Sequence, residues 1–128
     1  MTNRNDNYIK GRVDAFKHAF NGLYILFTEE PNSIIQALLT VAALLMGYFL
    51  RISSIEWIVL SIVIGMVFAM EAINSAIENL ADFTCNKKFE ESIKKTKDLS
   101  AAAGLFSAIA ALIAGLIIFL PKLLSLLI

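Results

Sequence analysis

Residues 55–82 read IEWIVLSIVIGMVFAMEAINSAIENLAD, and the fold follows from how that stretch divides. Between Glu56 and Glu71 there is no charged side chain. A helix rises about 1.5 Å per residue, so some 20 apolar residues cross a hydrocarbon core about 30 Å thick. The stretch therefore reads as a membrane span from Ile55 to about Ala81. Its second half carries Glu71, Glu78 and, just past the end, Asp82, where a bilayer offers no water to solvate them.

The rest of the chain agrees. Residues 33–50 hold no charge and end at Arg51, which makes a first span, and Ile52, Ser53 and Ser54 form a turn to the second. Leu99 to Leu120 is uncharged and makes a third span, followed by Pro121, Lys122 and a short apolar tail. Upstream, Ile9, Val13, Phe16, Phe20, Leu23 and Phe27 recur at steps of three and four, with Lys10, Asp14, Lys17 and Asn21 between them. That period predicts an amphipathic helix over about 8–28, lying flat at the bilayer surface. Glu29, Glu30, Pro31 and Asn32 interrupt it, because the residue before proline avoids the helical region. The expectation is an all-α membrane protein, residues 1–128 as one domain, with three transmembrane helices and an N-terminal surface helix.

Composition fits and excludes. The chain has 128 residues, of which 58% are hydrophobic and 17% charged, too apolar for a soluble domain of this length. Eleven basic residues balance eleven acidic ones, so the global basic field of a nucleic-acid binder is missing. The single cysteine, Cys85, excludes an internal disulfide and a cysteine-based metal site. The first thirty residues contain no apolar run of the signal-peptide kind. Basic residues cluster in the N-terminal segment (Arg4, Lys10, Arg12, Lys17) and in the 83–98 loop (Lys87, Lys88, Lys94, Lys95, Lys97), whereas the opposite side has Arg51 and Lys122. Basic loops stay inside, which puts the N-terminus and the 83–98 loop in the cytoplasm and the C-terminus outside.

The carboxylates of the second span share one face. With about 100° per residue and Glu71 at zero, Asn74 falls near −60°, Ser75 near +40°, Glu78 near −20° and Asp82 near +20°. A charge inside a bilayer costs at least about 2.5 kcal/mol and usually marks a site. The plain alternative, a helix end emerging into water, suits Asp82 and Glu78 but not Glu71, which lies two to three turns deeper. Glu71 and Glu78 stand about 10 Å apart along the axis, too far to share one ion, so they divide the work: a deep base and a shallow metal ligand. Glu29 and Glu30 can add oxygen ligands to Glu78, and a carboxylate site with few protein ligands suits Mg²⁺. Lys94, Lys95, Lys97 and Asp98 stand at the mouth of the third span. Anchoring on anionic headgroups is the common role of such lysines. Beside the Glu71 face they also supply what phosphoryl transfer needs: positioning, charge neutralisation and a proton acceptor. Neither a Walker loop nor a kinase glycine loop occurs.

These residues carry a resemblance. Glu71-x-x-Asn74-Ser75-Ala76-Ile77-Glu78-x-x-x-Asp82, then Lys97-Asp98 and Ala101-Ala102-Ala103-Gly104, resemble the prokaryotic diacylglycerol kinase and undecaprenol kinase family. Phe16-Lys17-His18-Ala19-Phe20-x-Gly22 and Glu30-Pro31-Asn32 also match. The likeness covers residues 15–122, and Ser54–Trp57 and Gly115–Lys122 lean toward the undecaprenol kinase branch. The resemblance implies a homotrimer in the bacterial cytoplasmic membrane that moves phosphate from ATP, with Mg²⁺, to a lipid hydroxyl. It implies Glu71 as general base, Glu30 and Glu78 on the metal, and Asn74, Asp82, Lys97, Asp98 and His18 around the nucleotide, with Glu71 and Ser75 facing the lipid. The chain departs from the family in a longer loop before Lys97, in Phe89-Glu90-Glu91 where a histidine is usual, and in Ser33-Ile34-Ile35-Gln36 after the Glu-Pro-Asn motif. The competing reading is a small cation channel or transporter, with Glu71 and Glu78 lining an ion path.

Overall fold

In the computed structural model, which describes residues 3–128, the chain forms α1 (Arg4–Glu29), α2 (Pro31–Phe49), α3 (Ser54–Thr84) and α4 (Glu91–Leu127). The last three are long and apolar enough to cross a membrane, as the charge-free runs require. The described residues divide into two compact units, one up to Ile34 and one from Ile35 to Ile128, each described by itself.

In the first unit α1 covers the segment expected to be helical and extends it toward the N-terminus. Its break is local chemistry. Glu30 is extended (φ −106, ψ 106), the conformation that a following proline imposes. Pro31 then occupies the first turn of α2, where a missing N–H costs nothing. The break is stitched by Ser33, which is completely buried, its hydroxyl 2.7 Å from the carbonyl oxygens of both Leu26 and Glu30, which also accept the backbone N–H groups of Glu30 and Ser33.

In the second unit α3 and α4 form the principal helix pair. Its core gathers Ile52, Leu60, Ile118 and Phe119, with Met46 and Trp57 packed against them, all at the end nearest the α2–α3 turn. A Cβ on Gly47 would come within 2.8 Å of the Trp57 ring, so glycine is what lets the indole lie on the α2 backbone. The turn itself puts Arg51 in the left-handed region (φ 53). Ser53 and Glu56 form a capping box that starts α3, and Glu56 also takes both its oxygens to Lys122 Nζ at 2.9 Å. Away from this core, large apolar side chains such as Leu38, Ile62, Leu105 and Ile117 are exposed. At most 17% of any span's apolar window is buried within the chain, a surface suited to hydrocarbon rather than water.

Two further boundaries differ from the sequence expectation, both in α4. The third span was expected to begin at Leu99 after a loop over 83–98; the helix already begins at Glu91, and only Cys85–Glu90 is non-helical. Glu91, Lys94, Lys95 and Lys97 are sound helix formers, and polarity alone does not make a loop. At the other end, α4 continues through Pro121 to Leu127. Proline there forfeits one backbone bond and is tolerated in membrane helices.

Candidate functional site

The polar stripe of α3 turns toward its own chain, on α2 and α4. Glu71, deepest in the stripe, is buried at 9% exposure. One carboxylate oxygen accepts a hydrogen bond from Gln36 Nε2 on α2 at 3.3 Å. One turn on, Asn74 Oδ1 accepts from Ser100 Oγ on α4 at 2.8 Å. At the top, Lys97 Nζ on α4 lies 2.5 Å from Asp82 Oδ1. Helical periodicity puts the stripe on one face, and the facing helices supply partners for Glu71, Asn74 and Asp82. Glu78 and Ser75 are half-buried on the same face. Glu78 is close enough to Lys97 for its charge to act on that ammonium.

Above the stripe, the short α3–α4 loop and the first turns of α4 enclose a cleft of about 630 Å³, lined by Asp82, Cys85, Lys87, Lys88, Lys94 and Lys97 among others. The loop is shaped by Asn86 and Lys87 in the left-handed region (φ 52 and 60) and by the Lys87 N–H bonding to Asp82 O at 3.0 Å. The cleft, open on one side, sets the ammonium groups of Lys87, Lys88, Lys94 and Lys97 against the carboxylates of Asp82 and Glu90, an excess of positive charge that suits a polyanion. Asp98 lies outside it, exposed and paired with Lys94 at 2.6 Å. A second cavity, about 380 Å³ and almost wholly apolar, opens between α2, α3 and α4 beside Gln36.

The site residues expected from sequence divide accordingly. Glu71, Asn74, Ser75, Glu78, Asp82 and Lys97 share the α3–α4 site; Asp98 flanks it. His18 is exposed on α1 and Glu30 ends α1, both in the first unit. Among the described residues no group of three or more acidic, histidine or cysteine side chains gathers to hold a metal. Sequence reasoning gave no site role to Gln36, Ser100, Lys87 or Lys88. Gln36 had a signal: it is the one carboxamide in an uncharged span.

Comparison with known proteins identifies relatives of the chain. The prokaryotic diacylglycerol kinase family matches residues 17–119. The undecaprenol kinase of Bacillus subtilis (strain 168) is 36% identical over 109 residues, covering 85% of this chain and 88% of the relative. A diacylglycerol kinase of Synechocystis sp. (strain ATCC 27184 / PCC 6803 / Kazusa) is 33% identical over 114 residues, covering 89% of this chain and 65% of that longer protein. No solved structure matches.

Proposed function

The chain belongs to the prokaryotic diacylglycerol kinase family, and from that premise we propose that it phosphorylates the hydroxyl of a membrane lipid with ATP, undecaprenol before diacylglycerol. The observation that carries this reading is the vertical order of the site: a buried carboxylate, Glu71, below a lysine-lined cleft.

The polyphosphate of ATP lies in the cleft, where Lys87, Lys88, Lys94 and Lys97 offset its charge and Asp82 holds Lys97 in place. The lipid hydroxyl approaches from the bilayer side and gives its proton to Glu71 as its oxygen bonds to the γ-phosphorus, and the bond from phosphorus to the ADP oxygen breaks. Asn74, held by Ser100, fixes the face on which this happens. Glu78 suits Mg²⁺: it is a half-buried carboxylate that accepts no hydrogen bond from the described residues, and this ion takes one or two carboxylates with phosphate oxygens and water. Mg²⁺ would neutralise charge building on the phosphates. Glu30 as a second ligand, His18 near the nucleotide, and the trimer rest on the family resemblance. The N-terminus and the α3–α4 loop on the cytoplasmic side, with the C-terminus opposite, rest instead on the distribution of basic residues. The ion-path reading finds no support, since Glu71, Asn74 and Asp82 are bonded to the neighbouring helices rather than lining an open axis.

The test is transfer of labelled phosphate from ATP by the purified protein, with undecaprenol and diacylglycerol offered separately. Transfer to undecaprenol at the higher rate is the expected result. Transfer to neither, by folded protein with Mg²⁺ present, overturns the proposal.

A further inference from the structure

Ser100 and Asn74 tie α4 to α3 inside the site. Ser100 is buried at 7% exposure, and its Oγ donates to Asn74 Oδ1 at 2.8 Å. Both side chains are short, so this bond leaves the two helices little freedom to slide, whereas Lys97 reaches Asp82 on a long flexible stem. The bond also sets the Asn74 carboxamide one way round. An amide oxygen accepts and an amide nitrogen donates; with the oxygen on the Ser100 hydroxyl, the Nδ2 amino group points away from Ser100. Asn74 stands about one turn from Glu71 on the same face, roughly 4.5 Å along the axis, and about two turns below Asp82. A phosphoryl group passing from the lysine-lined cleft to a hydroxyl at Glu71 crosses that level.

We propose that Ser100 is a positioning residue for phosphoryl transfer: by holding the Asn74 oxygen, it keeps the Nδ2 amino group turned to the γ-phosphoryl group, and so lets the site tell a triphosphate from a diphosphate. The inference rests on the kinase reading and deepens it. Ser100 itself makes no bond to either substrate. Without its hydroxyl the carboxamide is free to turn over, and an oxygen would then face the anionic phosphate where a donor is needed. The inner phosphates lie further up, among Lys87, Lys88 and Lys94, so ADP does not sense the amide.

Nucleotide affinity tests this on the purified full-length protein with Mg²⁺, measured by calorimetry with ADP and with a triphosphate analogue whose β–γ bridge is nitrogen. Ser100→Ala should weaken the analogue about tenfold, the loss of one hydrogen bond to a charged group, and leave ADP unchanged. Ser100→Thr, which keeps the hydroxyl, should restore the parent value. Equal weakening of both nucleotides would mean that Ser100 serves only the fold, and overturns the proposal; so does an unchanged affinity for the analogue. Should Ser100→Ala not fold, Ser100→Cys, close in size and a weaker donor, is read the same way with a smaller shift. Coupling gives a second measurement. Asn74→Ala should itself lose the preference for the analogue, and Ser100→Ala added to it should cost nothing more, because Ser100 acts only through the amide; a further loss overturns the assignment. A parent protein that binds neither nucleotide overturns the kinase reading and this inference with it, whereas a parent that binds both, with Ser100→Ala indistinguishable from it, sinks the inference alone.

Discussion

The two ends of the α3–α4 pair are built on opposite principles. At the α2–α3 turn, charge is closed off: Glu56 caps its own helix and grips Lys122, and Trp57, Leu60, Ile118 and Phe119 pack beneath. At the loop end, interactions are left open. Lysines line a cleft, Glu78 accepts no hydrogen bond from the described residues, and Gln36 keeps a buried oxygen unused. Both ends contain acidic and basic residues, so charge in a membrane helix does not by itself locate a site. What separates them is satisfaction. A pair whose every oxygen is taken holds the fold; a carboxylate with spare capacity is available for a ligand.

That contrast breaks most visibly at Glu71. Glu71→Gln should lower phosphate transfer by about 10²–10⁴-fold, the usual worth of a general base, while nucleotide binding by calorimetry is retained. Next is Glu78→Gln, which should raise the Mg²⁺ concentration for half-maximal rate by at least about tenfold, since even outer-shell changes at metal sites cost that much. A Mg²⁺ titration superimposable on the parent's would remove Glu78 from the metal.

The closed end should answer in the other currency. Glu56→Ala removes the cap and leaves the Lys122 ammonium without its partner, so thermal unfolding in detergent should shift down by several degrees while the rate of transfer per folded molecule stays at the parent level. A loss of transfer larger than the loss of folded protein would mean that the two ends are coupled. The smallest effect is expected at Arg51, whose left-handed backbone suits glycine. Arg51→Gly should stabilise the chain by about 1 kcal/mol, read as a rise in the unfolding midpoint.

Much of this division was legible before any coordinates, and the rest was not for identifiable reasons. The spans are read from missing charge, and the stripe from a period of about 100° per residue, both properties of one helix at a time. The Ser53-x-x-Glu56 capping box is equally local and was open to reading. Gln36 with Glu71, and Ser100 with Asn74, are pairings between helices separated by 35 and 26 positions, and no period within one helix specifies them. The start of α4 was misplaced because hydropathy measures what a bilayer accepts. Residues 91–98 are helical yet polar, so the signal for the membrane and the signal for the helix end at different places.

That early start of α4 changes the thermodynamics of holding a charged ligand. A helix of 37 residues is about 55 Å long, nearly twice a hydrocarbon core of about 30 Å, so it projects beyond any bilayer that it crosses. Lys94 and Lys97 ride on that projecting rod. Fixing a flexible backbone costs about 1–2 kcal/mol per residue, and for these positions that ordering was completed when the chain folded. A triphosphate arriving at the cleft would have to still mainly the lysine side chains. The lysines on the rod act as a preset electrostatic scaffold, and the entropy lost on binding is correspondingly small.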